Sequence, residues 1–467
     1  MLRTALPLLR PSVLVLALSL CAWANTCGDC DDSGSVTVID ALLACQHAVA
    51  LTTLTGSDFL ACDIDISLEV NVLDALVIAM EAQGMPATLT CIPFATFQIT
   101  EVQFDWSAVV PDGYSLRRNS STDVLVPEWQ LSPTRSEPAL FIGGQTPTIC
   151  FHATVTPATV TSADLRISTG GSVLGDFQTV PVSFVGGSSG TVQIALAGPI
   201  PMVLDRHQIT FDWHSSNVDG SGSPEQPLTS TGPHTIYTLL GTPTAPWTTS
   251  GTREPWTDLL DHICAWAGGQ TDAHAALSAM VRPFRENYGM QYDTLWGAPY
   301  YSVGAGWDMN LSLMVTRMAT ASIGTYNCYD AARAVALFGD LIGASQAFWF
   351  VDGPSGFFVN CINLNGRGWT NSPFYSADGS PMIRPPDMGP PRWAFGNHGI
   401  TGPPGSSPPS AVWDGTCSGD GDGNADEPPF LEVDLCNLTY AQYSALVVDD
   451  NPFRLTDPPY VISFNFQ

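Results

Sequence analysis

The chain has no lysine at all: its 16 cations are all arginines, set against 44 acidic residues. A net charge of −28 repels polyanions, which argues against nucleic acid and anionic membrane surfaces as partners. Without lysine, the chain cannot act as its own side-chain amine acceptor in any cross-linking chemistry. Long apolar runs are also missing beyond the first twenty residues, and nothing there approaches the roughly 20 apolar residues that span a bilayer. No membrane insertion is expected.

The N-terminus carries Arg3 and Arg10, an apolar run from Val13 to Leu20, and Ala22-Trp23-Ala24 before Asn25. This is the charge, core and small-residue pattern of a secretory signal peptide over residues 1–24. The bulky Leu20 ahead of Cys21 does not suit a lipoprotein site. A secreted, extracellular or cell-surface protein is expected. Of the 12 cysteines, Cys21 would leave with the signal, and disulfides are the default for the rest after export. The remaining odd number leaves at least one thiol unpaired. Cys328 fits that place, although on arithmetic alone so do Cys30 and Cys45.

Two twelve-residue segments, DCDDSGSVTVID (29–40) and DIDISLEVNVLD (63–74), repeat one chemistry. Asp29, Asp31, Ser33 and Asp40 occupy positions one, three, five and twelve, as do Asp63, Asp65, Ser67 and Asp74. Ser35 and Glu69 at position seven offer backbone carbonyls. Six to eight oxygens at this spacing suit calcium, so two ions are expected. Each loop leads into Val-x-Val-x-Asp-Ala-Leu, which reads as a departing helix. Capped helices with acidic N-termini would account for Asp40 and Asp74 but not for the earlier ligands. Residues 27–91 resemble a type I dockerin, whose paired loops also end in Asp. The resemblance implies docking onto a cohesin-like scaffold protein through positions ten and eleven, here Val38/Ile39 and Val72/Leu73. Those pairs read as an apolar docking face or as buried core. Leu68 stands at position six of the second loop, where Gly34 serves in the first; a non-glycine residue at positive φ costs about 1–2 kcal/mol, which predicts a weaker second site.

From residue 92 to 240, alternating runs such as FQITEVQFDW and HQITFDW are separated by Gly/Ser/Pro/Asn turns. They predict an antiparallel immunoglobulin-like β-sandwich, read as a spacer or substrate-presenting module. His152, His207 and His214 read as ordinary strand residues. Residues 241–467 place helices first (PWTDLLDHICAWAGG, DAHAALSAMVRPFREN, CYDAARAVALFGDLIGA) and strands afterwards (QAFWFVD, FFVNCINL), an α+β order. The fold expected is therefore multidomain: a small α EF-hand pair, an all-β sandwich and an α+β domain.

Cys328 falls where a helix starts, in TYNCYDAARAV, and a helix N-terminus favours the thiolate. His398 (WAFGNHGIT) and Asp414 (AVWDGTC) lie downstream on strand-like segments joined by GPPGSSPP. A nucleophile, a base and an orienting group make the three-part arrangement of covalent catalysis. A structural half-cystine paired to Cys361 or Cys264 is the alternative for Cys328, and an ordinary loop histidine for His398. The acidic run from Asp420 to Asp426 reads as a solvated loop or a third ion site. The order Cys at a helix start, then His, then Asp resembles transglutaminase-like, papain-related domains. That resemblance implies Cys328 as nucleophile, His398 as base and acid, and Asp414 as orienting group. It differs in Gly399, where the family often has Ala-Trp, and in the longer loop before Asp414. The Cys328 N–H is the one oxyanion donor the sequence offers. The reading is acyl transfer or amide hydrolysis on a protein or peptide substrate. Its rivals are a non-catalytic extracellular binding protein and an accessory of a polysaccharide-degrading assembly; no carboxylate pair in a glycosidase context stands out.

Overall fold

The computed structural model describes residues 27–467 apart from 32, 55, 65–68, 86–94, 105–113, 294–297, 304–307, 361–363, 366–391, 421–431, 448–459 and 463–464. At 56–57, 60, 352–360, 364–365, 392–396, 420, 432 and 460–462 it describes the backbone alone. The segment read as a signal peptide therefore lies outside the described residues. So do Asp65, Ser67, Leu68, Cys91, Cys361 and residues 422–426 of the acidic run. The rest forms a multidomain protein of mixed α and β structure.

Near the N-terminus are α1 (Val38–Ala48), α2 (Gly56–Cys62) and α3 (Val72–Ala82). Helices α1 and α3 begin in the same way. Thr37 and Asn71 sit in extended conformation, accept a bond from the N–H two residues on, and are answered by Asp40 and Asp74 in reciprocal capping boxes. Ala41, Ala44, Ala75 and Ile78 meet in a small core with Leu54, Ile64 and Val70. So few buried side chains cannot offset the chain's ordering entropy. The Cys30–Cys62 disulfide helps, closing a sequence separation of 32, which is worth about 3–4 kcal/mol in the loop-entropy account.

Thirteen strands follow. They are β1 (Thr96–Gln103), β2 (Arg117–Asn119), β3 (Thr122–Asp123), β4 (Trp129–Gln130), β5 (Arg135–Ser136), β6 (Ala139–Ile142), β7 (Thr148–Thr156), β8 (Ser162–Ser168), β9 (Val180–Ser183), β10 (Val192–Ala195), β11 (Asp205–Ser216), β12 (Gln226–Pro227) and β13 (Thr231–Leu239). One sheet runs β10-β7-β1-β4-β5 and the other β6-β13-β11-β8-β9, with β12 on β11. Alternate residues of β8 and β11 turn inward. Phe151 and Ile149 from the first sheet meet Ile167, Phe211 and Trp213 from the second in a shared core. His152, His207 and His214 bond to Thr191, Thr238 and Glu225 within this unit.

One end of this unit, read from sequence as a spacer or substrate-presenting module, is built into the C-terminal part. Leu140, Ile142, Leu204, Tyr237 and Leu239 pack in the same core as Trp256, Leu260 and Ile263. The Tyr237 hydroxyl donates to Asp261 at 2.6 Å, and Arg117 N–H donates to the Pro255 carbonyl at 3.0 Å.

The C-terminal part comprises α4 (Thr257–Ala267), α5 (Ala273–Glu286), β14 (Met290–Tyr292), β15 (Ser302–Val303), β16 (Asp308–Met309), α6 (Leu311–Met318), β17 (Gly324–Tyr326), α7 (Cys328–Leu341), β18 (Ala347–Asn360), β19 (Leu364–Asn365), β20 (Arg392–Gly402), β21 (Val412–Asp420), β22 (Glu432–Leu438), α8 (Tyr440–Val447) and β23 (Tyr460–Ile462). Its sheet runs β19-β21-β20-β18-β23, with β22 beside β21. The stretches QAFWFVD and FFVN belong to the single strand β18. Every residue of α7 is buried, and its alanines let the sheet press close. Side chains after His398 and Asp414 would prevent this: a Cβ on Gly399 would lie 2.6 Å from the Phe348 ring and 3.0 Å from the Cys328 carbonyl oxygen, and one on Gly415 would lie 3.1 Å from Val335. The Thr401 hydroxyl bonds the Ala332 carbonyl at 2.7 Å, and the Trp413 indole bonds Ser278 at 2.9 Å.

The cysteines also depart from expectation. Cys30 is paired, whereas Cys45, Cys150, Cys264, Cys328, Cys417 and Cys436 are free thiols. Cys27 is disulfide-bonded as well, so among the described residues bonded and free cysteines coexist, and parity does not single out Cys328. Its standing rests on geometry. No helix among the described residues is long and apolar enough to cross a membrane.

Candidate active site and metal loops

Strand β17 delivers the chain to Asn327, whose extended backbone and side-chain oxygen cap α7. That oxygen accepts from Tyr329 N–H at 3.0 Å and Asp330 N–H at 3.1 Å. Asp330 in turn accepts from Tyr300 N–H at 2.7 Å and Ser302 N–H at 2.7 Å, anchoring segment 300–302 against the helix start. Burial raises the Asp330 pKa, opposed by these donors. Arg333 donates to Ser302 at 2.7 Å and lies 4.2 Å over the Phe348 ring; burial lowers its pKa to about 10. Cys328 is thus the first residue of a tightly anchored, buried helix.

His398 on β20 and Asp414 on β21 are brought together at the sheet face against that helix end. His398 Nε2 is 2.9 Å from Asp414 Oδ2, and both residues are buried. The Cys328 side chain interacts with His398, and that contact, together with Asp414, acts on the ring. Burial on its own would lower the His398 pKa, but the Asp414 carboxylate and the neighbouring Cys328 outweigh it and raise the value to about 10. Burial would raise Asp414, yet the His398 charge and hydrogen bond, with donors from Tyr443 and Thr416, bring it down to about 2. The Asp414 carboxylate thus favours the charged form of the histidine against the pull of burial. With Nε2 committed to Asp414, Nδ1 is the nitrogen available to exchange a proton with the thiol. A thiolate could attack a carbonyl carbon, the imidazolium could protonate a departing amine, and water or an amine could resolve the thioester.

No protein-family model matches this chain. No curated protein matches it either.

Three side chains of the site were not found by sequence reasoning. The Tyr443 hydroxyl on α8 donates to Asp414 Oδ2 at 2.7 Å. Cys417 sits 3.3 Å from the same oxygen, and its N–H faces Asp414 Oδ1 at 3.4 Å. Tyr292, at the end of β14, places its hydroxyl against Cys328, and its pKa is raised, chiefly by burial and then by that thiol. It is a second donor near the thiol beside the Cys328 N–H. None of these stands in a motif. Tyr292 lies in a turn-rich stretch and Tyr443 in a plain C-terminal helix, so only the fold gathers them.

In the first acidic loop, carboxylate oxygens of Asp29, Asp31 and Asp40 lie within 4.8 Å of one another. Asp29 accepts from Ser33 N–H at 2.9 Å and Gly34 N–H at 2.7 Å, with Gly34 at φ +85°. The Ser33 hydroxyl meets the Ser35 carbonyl at 3.2 Å. Asp40 accepts from Cys30 N–H at 2.7 Å and Thr37 N–H at 2.7 Å. The second loop repeats this offset for offset: Asp74 accepts from Ile64 N–H at 2.9 Å and Asn71 N–H at 2.8 Å. Asp63 and Asp74 are buried, while Glu69 is exposed. The bond reaching back ten residues is no part of a helix cap. It curls each loop around its carboxylates. Two buried aspartates beside a third would repel one another, and a hard cation among them removes that repulsion. The residues described fit calcium.

The pairs Val38/Ile39 and Val72/Leu73, left open between docking face and core, are more than half exposed, as are Leu42 and Leu76. The two helices thus present matching apolar faces to solvent.

Proposed function

We propose that this is an exported, calcium-binding, tethered cysteine acyltransferase or amidase. In this reading Cys328 forms a thioester with a protein or peptide carbonyl, His398 shuttles the proton and Asp414 orients it, within a transglutaminase-like α+β domain. The observation that carries it is the meeting of Cys328 at a helix start with the 2.9 Å His398–Asp414 pair. Asp29, Asp31, Ser33, Ser35 and Asp40 would hold one Ca2+. The corresponding residues of the second loop, Asp63, Asp65, Ser67, Glu69 and Asp74, would hold another. The matched apolar faces of α1 and α3 support a dockerin-like role on a cohesin-like scaffold, and the two-sheet unit is read as immunoglobulin-like.

A second reading is favoured by the low exposure of the thiol, 3%: a tethered binding protein whose C-terminal part performs no chemistry. Thiol alkylation of the unreduced protein with calcium present, followed by peptide mapping, separates the two. The enzyme reading expects Cys328 to react at pH 6 well ahead of the partly exposed Cys45 and Cys436. A Cys328 no faster than Cys45 supports the binding protein.

A further inference from the structure

Cys417 takes no part in the acyl-transfer steps, yet its thiol is fully buried beside the two residues that orient the proton. His398 Nε2 and Asp414 Oδ2 are 2.9 Å apart, Cys417 Sγ is 3.3 Å from Asp414 Oδ2, and all three ligand atoms fall within 4.8 Å of one another. We propose that His398, Asp414 and Cys417 form a binding site for a soft divalent cation of the zinc class, with Cys328 outside the ligand set. Imidazole nitrogen, carboxylate oxygen and thiolate sulfur are all zinc ligands. Bond lengths of about 2.0–2.3 Å put tetrahedral ligand atoms about 3.3–3.6 Å apart. The ring and carboxylate would separate by only about 0.4 Å to reach that spacing. The Tyr443 hydroxyl, 2.7 Å from Asp414 Oδ2, stands beside the site as an outer hydrogen-bond donor or a fourth ligand.

Zinc binding would release the Cys417 thiol proton and any proton on Nε2, so the ion's two charges are met by the Asp414 carboxylate and the Cys417 thiolate beside a neutral imidazole. With Nε2 taken by Asp414, Nδ1 is the ring nitrogen left for Cys328. With Nε2 on the metal, Nδ1 keeps its hydrogen and cannot take a proton from the thiol. On the acyl-transfer reading, the metal therefore switches the enzyme off. The site itself does not depend on that reading.

The test is Co2+ titration of the full-length, metal-stripped protein, in excess Ca2+ to saturate the acidic loops. The readouts are the near-ultraviolet thiolate-to-cobalt band and Zn2+ competition, with near-ultraviolet circular dichroism checking each variant's fold. The expected result is one ion per chain with a thiolate band that survives in C328A. In C417S, which keeps a hydroxyl in place, the band is lost and affinity falls by about 100-fold, the upper range for a disturbed metal environment. A band lost in C328A but kept in C417S overturns the proposal, as does the absence of a band in folded wild-type protein. Alkylation of Cys328 in the metal-free protein scores the acyl-transfer reading separately.

Discussion

Replacing Asp414 with asparagine keeps the shape of the buried pair and removes its charge. In the native protein the carboxylate and Cys328 raise the His398 pKa from 6.5 to about 10 against the pull of burial. At about 1.36 kcal/mol per pKa unit, that is on the order of 5 kcal/mol of net stabilisation of the imidazolium. Breaking a buried ion pair by removing one partner costs about 3–5 kcal/mol, the same order. In Asp414→Asn, burial is no longer opposed by that charge, and the His398 pKa should fall below 6.5. The sign carries over to stability. A raised histidine stabilises the wild type fully below about 6.5 and loses that contribution as pH rises toward about 10. Asp414, lowered from 3.8 to about 2, contributes above 3.8 and loses it as pH falls through about 2. The pair's stabilisation is therefore greatest between about 4 and 6.5. Urea midpoints measured from pH 4 to 10 should decline along the alkaline limb in wild type and stay flatter, from a lower start, in the variant. Histidine NMR titration reads the pKa directly. An His398 that titrates at the same pH in both proteins would refute the electrostatic argument.

Removing calcium with a chelator should lower the melting temperature of the N-terminal module and leave that of the C-terminal part unchanged; saturating a site at 100 times its dissociation constant is worth about 2.7 kcal/mol, and Asp40→Ala should abolish one ion by calorimetric titration. Gly399→Ala should cost about 1–3 kcal/mol as an overpacking change, and should slow Cys328 alkylation, because the new methyl meets Phe348 and the Cys328 carbonyl. Tyr292→Phe should leave alkylation of Cys328 by small reagents within a few-fold of wild type but reduce thioester formation by about 100-fold, the cost of losing one oxyanion donor; equal loss in both assays would argue against that role.

The helix starts were legible in the sequence because capping is local. Asn327 and Asp330 bracket Cys328 within four residues, and Thr37/Asp40 and Asn71/Asp74 do so in the repeat. The alternation of β11 was legible for the same reason. The Asp414 surroundings were not, because its donors come from three separate elements whose meeting depends on sheet order. Gly399, which looked like a departure from the transglutaminase-like pattern, is explained by a contact 71 residues away, where β20 meets the Cys328 carbonyl. The disulfide expectation holds for Cys30 and Cys62 but not for the free thiols among the described residues. Cys264 and Cys417 are buried as small apolar side chains in one large core. The two-sheet unit was read as a spacer or substrate-presenting module because its pattern is self-contained along the chain, and nothing in alternation reveals which end of a sheet is covered.

That covered end sets how the chain can be cut and recombined. The N-terminal helical module has a core of its own and can be grafted to another protein as a cassette. A cut near residue 240 would instead strip Leu140, Leu204 and Leu239 from Trp256 and Ile263 and leave a raw apolar face on both pieces. Any shortened version made for crystallisation or engineering should begin near residue 95 and keep everything downstream as a single piece.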